Sequence, residues 1–260
     1  TTITKNFAAV TYTGNGTSKA IVTGISSVDF TVSGNGSGYW LDRTVNQVKN
    51  DAGVVQASGS CVVNTSKVHI KKRNSAGNNV VCDGLRGKDK QIYTDLTNAE
   101  GSVTGRFTGF TNNGFSLGSD STTNGNTNTF IAYPTLYTHM KWGVTSQGKF
   151  QIEAYNPVTE EGMTYYIGSG LAGHEISHSM GVEIDYYECK VLSGTNDWIA
   201  GDTSKVGNLN TTIAFVNNTG SFATIDSDSI SLGASGNLNA LDQEHIMYYK
   251  CKSETFTIGT

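Results

Sequence analysis

The segment 170–185, GLAGHEISHSMGVEID, contains the residues with the clearest chemical potential in this chain. His174, Glu175 and His178 spell H-E-x-x-H, the signature of zinc peptidases. In such enzymes the two histidines lie one turn apart on a helix and bind the same zinc ion. The glutamate acts as general base on the zinc-bound water. The motif therefore predicts peptidase chemistry only if this segment is helical.

The glycines around the motif disfavour a helix. Gly168, Gly170, Gly173 and Gly181 lie in or beside the segment, and each interior glycine costs about 1 kcal/mol relative to alanine. In an extended strand, four residues span about 13 Å, so the two histidines would share a face but not an ion. We expect a turn and loop that lead into a strand edge, with the histidines exposed and a strand-length apart.

A third zinc ligand is missing from its expected position. Gly181 matches the longer variant H-E-x-x-H-x-x-G-x-x-H, but Ile184 stands where that variant has histidine. Asp185 and His245 are the remaining candidates. The stretches 119–128 and 226–229 supply oxygen ligands without the spacing of a known calcium loop. We therefore predict no metal, no other cofactor and no catalytic residues.

Two other groups of residues could either bind a ligand or serve the fold. Asp83, Arg86 and Asp89 lie close together in CDGLRGKDK, where Asp–Arg pairing would order a charged turn; contact with an anion or a glycan is the alternative. The chain also has three tryptophans that could stack on sugars, Trp40, Trp142 and Trp198. Aromatic residues more often pack in a core or between subunits, and we predict that role for them.

The composition predicts a β-rich chain with polar turns. Only 15% of the 260 residues are charged, whereas 31 are glycine and 2 are proline. Such a composition is typical of short strands joined by many turns. The net charge of −4 comes without a basic stripe, which argues against nucleic acid as a partner. No apolar run approaches the roughly 20 residues that span a bilayer, so we expect no membrane insertion.

Short runs rich in Val, Ile, Tyr, Phe and Thr alternate with Gly, Ser and Asn along the chain, which is typical of strands and turns. The predicted strands are Phe7–Tyr12, Lys67–Arg73, Asn79–Cys82, Gln91–Thr94, Phe115–Leu117, Thr129–Tyr133, Phe150–Tyr155, Thr164–Ile167, Ile184–Leu192, Asp197–Ala200, Thr212–Val216, Ser229–Leu232 and His245–Cys251. Regular short strands of this kind indicate sandwiches or barrels.

Two short internal sequence similarities indicate that the chain has two related halves. Residues 114–137 resemble residues 229–252, each with Ser-Leu-Gly, a polar loop and an aromatic strand. YTGNG at 12–16 resembles YIGSG at 166–170 with a different offset, so the first half must contain an insertion. We predict one β-sandwich domain over 1–145, with an insertion at about 26–64, and a related β-sandwich domain over 146–260.

The four cysteines leave two interpretations open. Cys61, Cys82, Cys189 and Cys251 form no C-x-x-C pair, which argues against a structural zinc knuckle. They are either buried thiols or one disulfide in each half, pairing Cys61 with Cys82 and Cys189 with Cys251.

Taken in order, several stretches resemble a family of repeated β-domains in bacteriophage virion proteins of the tail and tail-fibre type. In the second half these are YIGSGLAGHEISHSMGVEIDYYECK (166–190), DWIAGD (197–202), SISLG and HIMYYKCKSETFTIG (245–259). In the first half they are TYTGNG, CDGLRGKDKQIYTDLTNAE and GFSLGS. The resemblance implies lectin-like or jelly-roll-like β-sandwiches in a virion assembly. It implies no catalytic site, and no functional residues are carried over from it.

Three functions of different classes follow. The first is a non-enzymatic structural protein located in the virion, in a tail, a fibre or a capsid decoration. Its partners would be other virion proteins and copies of itself, with a host-surface glycan as a further partner. The second is a stand-alone carbohydrate-binding module. The third is a zinc metallopeptidase that uses His174, Glu175 and His178. We predict the first.

Overall fold

The computed structural model describes residues 9–22, 39–111, 114–202, 204–217 and 222–251. Regular structure in these ranges is almost entirely antiparallel β-structure, which confirms the predicted all-β class. The elements up to the middle of the chain are β1 (Val10–Thr13), β2 (Lys19–Val22), β3 (Tyr39–Asp42), β4 (Gln47–Asn50), β5 (Val55–Gln56), β6 (Gly59–Lys72), β7 (Val80–Asp83), β8 (Lys90–Tyr93), β9 (Gly101–Ser102), β10 (Phe107–Thr111), β11 (Gly114–Leu117), α1 (Ser121–Asn124) and β12 (Thr129–Val144). The later elements are β13 (Phe150–Asn156), β14 (Glu161–Ile167), β15 (His174–Ser177), β16 (Ile184–Val191), β17 (Ile199–Gly201), β18 (Lys205–Asn208), β19 (Val216–Asn217), β20 (Phe222–Ile225), β21 (Ser229–Leu232) and β22 (Glu244–Cys251).

One large sheet runs through the described part of the chain in the order β19-β18-β17-β16-β22-β14-β13-β12-β6-β7-β8-β9, with β1 also paired to β12. The long strands β6 and β12 pair along most of their lengths, and the end of β12 also pairs with β13. Strand β13 in turn pairs with β14. The sheet is therefore continuous across residues 145 and 146, and the division into two domains there stays a prediction.

Strand order is the same on the two sides of β13. The first half has β1-β12-β6-β7-β8-β9 and a separate sheet β2-β11-β10. The second half has β14-β22-β16-β17-β18-β19 and a separate sheet β15-β21-β20. Each half thus places a small three-stranded sheet beside its part of the large sheet. Descent of the halves from one repeated unit remains a prediction that this shared order favours.

A buried asparagine organises one turn in each half, Asn124 in the first half and Asn239 in the second. Asn124 accepts a hydrogen bond from the backbone N–H of Asn15 at 3.1 Å and donates one to the carbonyl that follows β11 at 2.8 Å. Asn239 accepts one from the backbone N–H of Ser169 at 2.7 Å and donates one to the carbonyl that follows β21 at 3.1 Å. Both asparagines are fully buried. These amides satisfy backbone groups that the turns would otherwise bury without partners.

Three apolar cores form because successive side chains in a strand point to opposite faces. In β22, Ile246 and Tyr248 belong to a central core that contains residues of both halves. Met247 and Tyr249 face the second core, against the β15-β21-β20 sheet. The third core lies between the first half of the large sheet and β2-β11-β10. Strands covered on both faces read as nearly continuous apolar runs rather than as alternating ones.

The predicted insertion at about 26–64 is only partly visible. Its residues 26–38 lie outside the described residues, and 39–56 form a three-stranded sheet in the order β3-β4-β5. Residues 59–64 belong to β6. The predicted strand Thr212–Val216 was wrong in position, because pairing with β18 begins only at Val216. Ile213 and Phe215 are exposed there, so the apolar residues of this segment do not belong to a buried strand.

The four cysteines are free thiols in the structure, so the interpretation with the pairs Cys61–Cys82 and Cys189–Cys251 is not the one that the structure supports. Cys189 lies opposite Met247, four residues along β22 from Cys251. Four residues of strand span about 13 Å, whereas a disulfide needs Cα atoms within about 7 Å. The interpretation as buried thiols therefore holds for Cys82, Cys189 and Cys251, whereas Cys61 is partly buried.

We predict that Asn239→Ala lowers the free energy of unfolding by about 3 kcal/mol or more, measured by chemical denaturation. The change removes the partner of several buried backbone groups, and each unsatisfied group costs about 1–3 kcal/mol. Asn78→Ala, at an exposed position, should change it by less than about 0.5 kcal/mol. Equal effects of the two variants would contradict the structural role of Asn239.

Candidate functional site

The H-E-x-x-H residues lie in and directly after strand β15, so the predicted extended conformation is confirmed. The predicted exposure of the histidines was wrong, because this face of the strand packs in a core: His174 and His178 are 0% and 1% exposed, and Ile176 between them is also buried. Glu175 is exposed, because alternate residues of a strand point to opposite sides. The general base of the peptidase mechanism would therefore face away from the histidines.

Each histidine has its own surroundings. The Nδ1 atom of His174 lies 2.7 Å from Oδ1 of Asn239, and its ring meets the edge of Tyr166 at 6.2 Å. Nε2 of His178 lies 3.0 Å from the carbonyl oxygen of Asp226, and its ring lies 5.8 Å from that of Tyr249. Burial lowers the pKa of both imidazoles. Both imidazoles are therefore neutral at pH 7, and each lies against a tyrosine of the second core.

The proposed third ligands do not complete a metal site. Asp185 is exposed on β16, and Ile184 is buried in the second core. His245 stacks on Tyr166 at 4.9 Å, accepts a hydrogen bond from the Ala240 backbone and contacts a carbonyl through Nδ1. Within the described ranges, no group of three or more His, Cys, Asp or Glu residues could hold a metal ion.

The charged turn CDGLRGKDK is ordered by Asp–Arg pairing, as predicted. Nε of Arg86 lies 2.6 Å from Oδ2 of Asp83, with both side chains fully buried. Arg86 also donates to Glu100 at 3.2 Å and to the hydroxyl of Tyr248 at 3.1 Å. Asp89 pairs instead with the exposed Lys88. Arg86 is thus enclosed by the protein and is not accessible to an external anion or glycan.

Two of the three tryptophans, Trp142 and Trp198, are core residues, as predicted. Trp198 is fully buried and donates its Nε1–H to the carbonyl of Tyr93 at 2.7 Å. Trp142 is 4% exposed and packs on Tyr39 at 4.7 Å. Trp40 is half-buried, with the ammonium of Lys49 above its ring at 5.3 Å.

The two stretches considered for calcium are also structural. Asp120 caps α1 by accepting from the Thr122 backbone at 2.8 Å and pairs with Arg106 at 3.0 Å. In the other stretch, the carbonyls of Asp226 and Asp228 hold His178.

A cleft that sequence reasoning missed lies between the two halves. Its larger hollow has a volume of about 380 Å³, with lining from the first half that includes His69, Asn79, Thr94 and Asp95 and lining from the second half at residues 209–212. Its smaller hollow has a volume of about 170 Å³, with lining that includes Lys67, Thr135, Glu161, Tyr186 and Lys250. Glu188 lines both hollows. We call these two hollows together the inter-half cleft.

Strand alternation places the charged side chains of the inter-half cleft. On β16, Tyr186 and Glu188 are two residues apart, and the Tyr186 hydroxyl donates to Oε1 of Glu188 at 3.0 Å. On β6, Lys67 and His69 are likewise two residues apart. Nζ of Lys67 lies 4.5 Å from the centre of the Tyr248 ring.

Two residues that line the larger hollow have polar atoms without hydrogen-bond partners. Burial, with the nearby charges of Lys67 and Lys71, lowers the pKa of His69 to about 4, so its imidazole is neutral at pH 7. Nε2 of His69 and Oδ1 of Asn79 are buried and have no hydrogen-bond partner in the described part of the structure. Buried polar atoms usually have partners, so these two enclosed atoms are exceptions in the wall of the larger hollow.

The only sequence signal for the cleft was the interleaving of polar residues within apolar strands, as in KVHI at 67–70 and DYYE at 185–188. Polar residues at alternate positions ordinarily indicate a solvated sheet face. The cleft arises because two such faces, more than a hundred residues apart in sequence, are brought opposite each other.

The chain belongs to the family of a domain of unknown function, DUF7483, whose model matches residues 35–257. The matched range includes strands of both halves. Comparisons with curated proteins and with solved structures found no match. Helices of a length and apolarity suited to crossing a membrane do not occur among the residues that the structure describes.

We predict that purified protein contains no stoichiometric zinc, because His174 and His178 occupy separate surroundings on a strand. Elemental analysis of wild type and of His178→Ala measures this directly. Stoichiometric zinc that disappears in His178→Ala would instead overturn this interpretation of the motif.

We also predict that acidification destabilises the protein through His245. Burial lowers the pKa of His245 from its ordinary 6.5 to about 4 in the folded chain. The unfolded chain therefore binds a proton first as the pH falls, so stability is present above pH 6.5 and is lost between 6.5 and 4. The expected loss from this residue is roughly 3 kcal/mol.

Denaturant titrations at pH 8 and pH 4.5 test this expectation with His245→Asn. The variant should start less stable at pH 8, where the imidazole's hydrogen bonds are lost, and should then lose less stability on acidification than wild type. An equally steep loss in both proteins would show that His245 does not contribute.

Proposed function

We propose that this DUF7483 chain is a structural protein of a bacteriophage virion, in a tail, a fibre or a capsid decoration. It acts through contacts with other virion proteins and with copies of itself, and its location is the virion. Its sequence resemblance to repeated β-domains of tail proteins supports this proposal. The proposal requires surfaces suited to association, and the end of the large sheet offers one.

The observation that carries the proposal is the apolar edge at β19. Val216 is 61% exposed on this terminal strand, and Ile213 and Phe215, just before it, are also exposed. Strand β19 pairs with β18 on one side, and β19 is the last strand of the sheet in the described residues. An exposed sheet edge with apolar side chains favours pairing with another chain, because backbone groups and apolar surface are buried together.

Attachment to a host-surface glycan is a second candidate function, and the inter-half cleft favours it. The same observation supports the alternative of a stand-alone carbohydrate-binding module. The two are distinguished by assembly: a virion protein associates, whereas a module binds its ligand as a monomer. The zinc peptidase hypothesis has least support, because the motif's glutamate and histidines lie on opposite faces of a strand.

We predict that the purified chain forms a closed oligomer, since most soluble homo-oligomers are closed and symmetric. Light scattering coupled to size exclusion measures the mass. Val216→Lys should shift the protein toward the monomer, because a lysine on an edge strand opposes pairing. Val158→Lys is the matched control, since Val158 is 81% exposed in a turn away from any sheet edge.

A monomer at every concentration, or an oligomer that Val216→Lys leaves unchanged, would count against association through β19. Cryo-electron microscopy of particles then tests the virion assignment. The expected result is density for this chain repeated around a tail or capsid axis.

A further inference from the structure

The geometry points to the inter-half cleft as a binding site for a neutral saccharide, with Glu188 as its central hydrogen-bond acceptor. This inference rests on the second candidate function, attachment to a glycan, and adds to it the site and the class of sugar. It does not depend on the assembly contacts at β19.

The size and shape of the cleft fit a small polar ligand. Its hollows, of about 380 and 170 Å³, lie side by side with Glu188 in the lining of both. Small-molecule sites typically have volumes of roughly 300–1,000 Å³. The cleft is thus large enough for more than a single ion or water, and its two parts suit a ligand with consecutive units.

The charge of the lining favours a neutral ligand. Lys67 and Lys250 bring positive charge, whereas Asp95, Glu161 and Glu188 bring negative charge. Charges of both signs stand in the lining, so the cleft offers no surface of a single sign to an anionic or a cationic ligand. A ligand with many hydroxyl groups suits such a lining, because each hydroxyl both donates and accepts.

The polar atoms of the lining match hydroxyl groups in kind. The carboxylate of Glu188 accepts one internal hydrogen bond, from Tyr186, and an ionised carboxylate has about four lone-pair positions. Asn79 Oδ1 and His69 Nε2 stand without partners among the described residues of the larger hollow. Sugar hydroxyls would therefore donate to the remaining lone-pair positions of Glu188, because His69 Nε2 and Asn79 Oδ1 are enclosed by the protein.

An aromatic surface lies beside these polar groups. Tyr186 is 38% exposed, and Tyr133, whose ring lies 6.1 Å from that of His69, is 40% exposed. Aromatic rings present apolar faces together with polar edges, which suits the mixed surface of a sugar ring. Replacement of Glu188, Tyr186 or His69 should therefore lower the affinity for a saccharide most.

The test uses the full chain and a panel of neutral hexose and N-acetylhexosamine oligosaccharides, with uronic-acid and sialylated oligosaccharides beside them. Binding is measured on an array and then by calorimetry. We expect binding to at least one neutral oligosaccharide, weakened roughly tenfold or more by Glu188→Ala and by Tyr186→Ala. Glu183→Ala, at an exposed position just before β16, is the matched control and should bind like wild type.

Thermal unfolding of each variant shows whether it is folded, and His69→Ala provides a further variant from the opposite wall. No binding to any neutral saccharide overturns the inference, as does binding that all three cleft variants leave unchanged. Selective binding of acidic saccharides overturns the predicted class. Light scattering on the same samples separates the assembly proposal from the saccharide proposal. An oligomer that binds no saccharide would overturn only the saccharide proposal. A monomer that binds a neutral saccharide would instead contradict the virion assembly.

Discussion

One buried guanidinium constrains how the parts of this protein pack. Arg86 is enclosed by Asp83, Glu100 and Tyr248, which come from the first half and from β22 of the second. Glu100 also pairs with Arg43, in the turn after β3, at 2.6 Å. Breaking a buried ion pair leaves an uncompensated charge and costs about 3–5 kcal/mol. Both halves and the β3-β4-β5 sheet are therefore held in the arrangement that keeps Arg86 paired.

The same network positions the inter-half cleft. The hydroxyl of Tyr248 contacts Arg86 and Asp83, while its ring lies beneath Lys67 in the lining of the smaller hollow. Glu188 lies directly opposite Tyr248 in the pairing of β16 with β22. A shift of Tyr248 would thus disturb both the buried charge and the wall of the cleft. A rigid polar network behind a pocket pre-organises its lining and so lowers the entropy lost on binding.

Local features of the fold could be predicted from the sequence, whereas long-range ones could not. Strand character, the extended H-E-x-x-H segment and the Asp83–Arg86 turn depend on neighbouring residues, and alternation and glycine content revealed them. The continuity of the sheet through β13 depends on pairings between distant strands, which no local pattern specifies. The cleft was missed for the same reason, because Lys67 and Glu188 carry no signal until the two sheet faces meet. The similar segments YTGNG and YIGSG, and the two Ser-Leu-Gly turns, do each contact a buried asparagine of their own half.

The strand position of His174 accounts for the H-E-x-x-H sequence without a metal site. In the pairing with β11 and β21, Lys19 of the first half and His174 of the second occupy matching positions opposite a leucine. The ammonium of Lys19 lies 5.0 Å from the ring of Tyr12, and the ring of His174 lies 6.2 Å from that of Tyr166. These two positions thus hold different polar side chains, each of which lies near a tyrosine ring of its own half. The spacing from His174 to His178 then follows from the two-residue period of a strand, with Ile176 between them on the buried face.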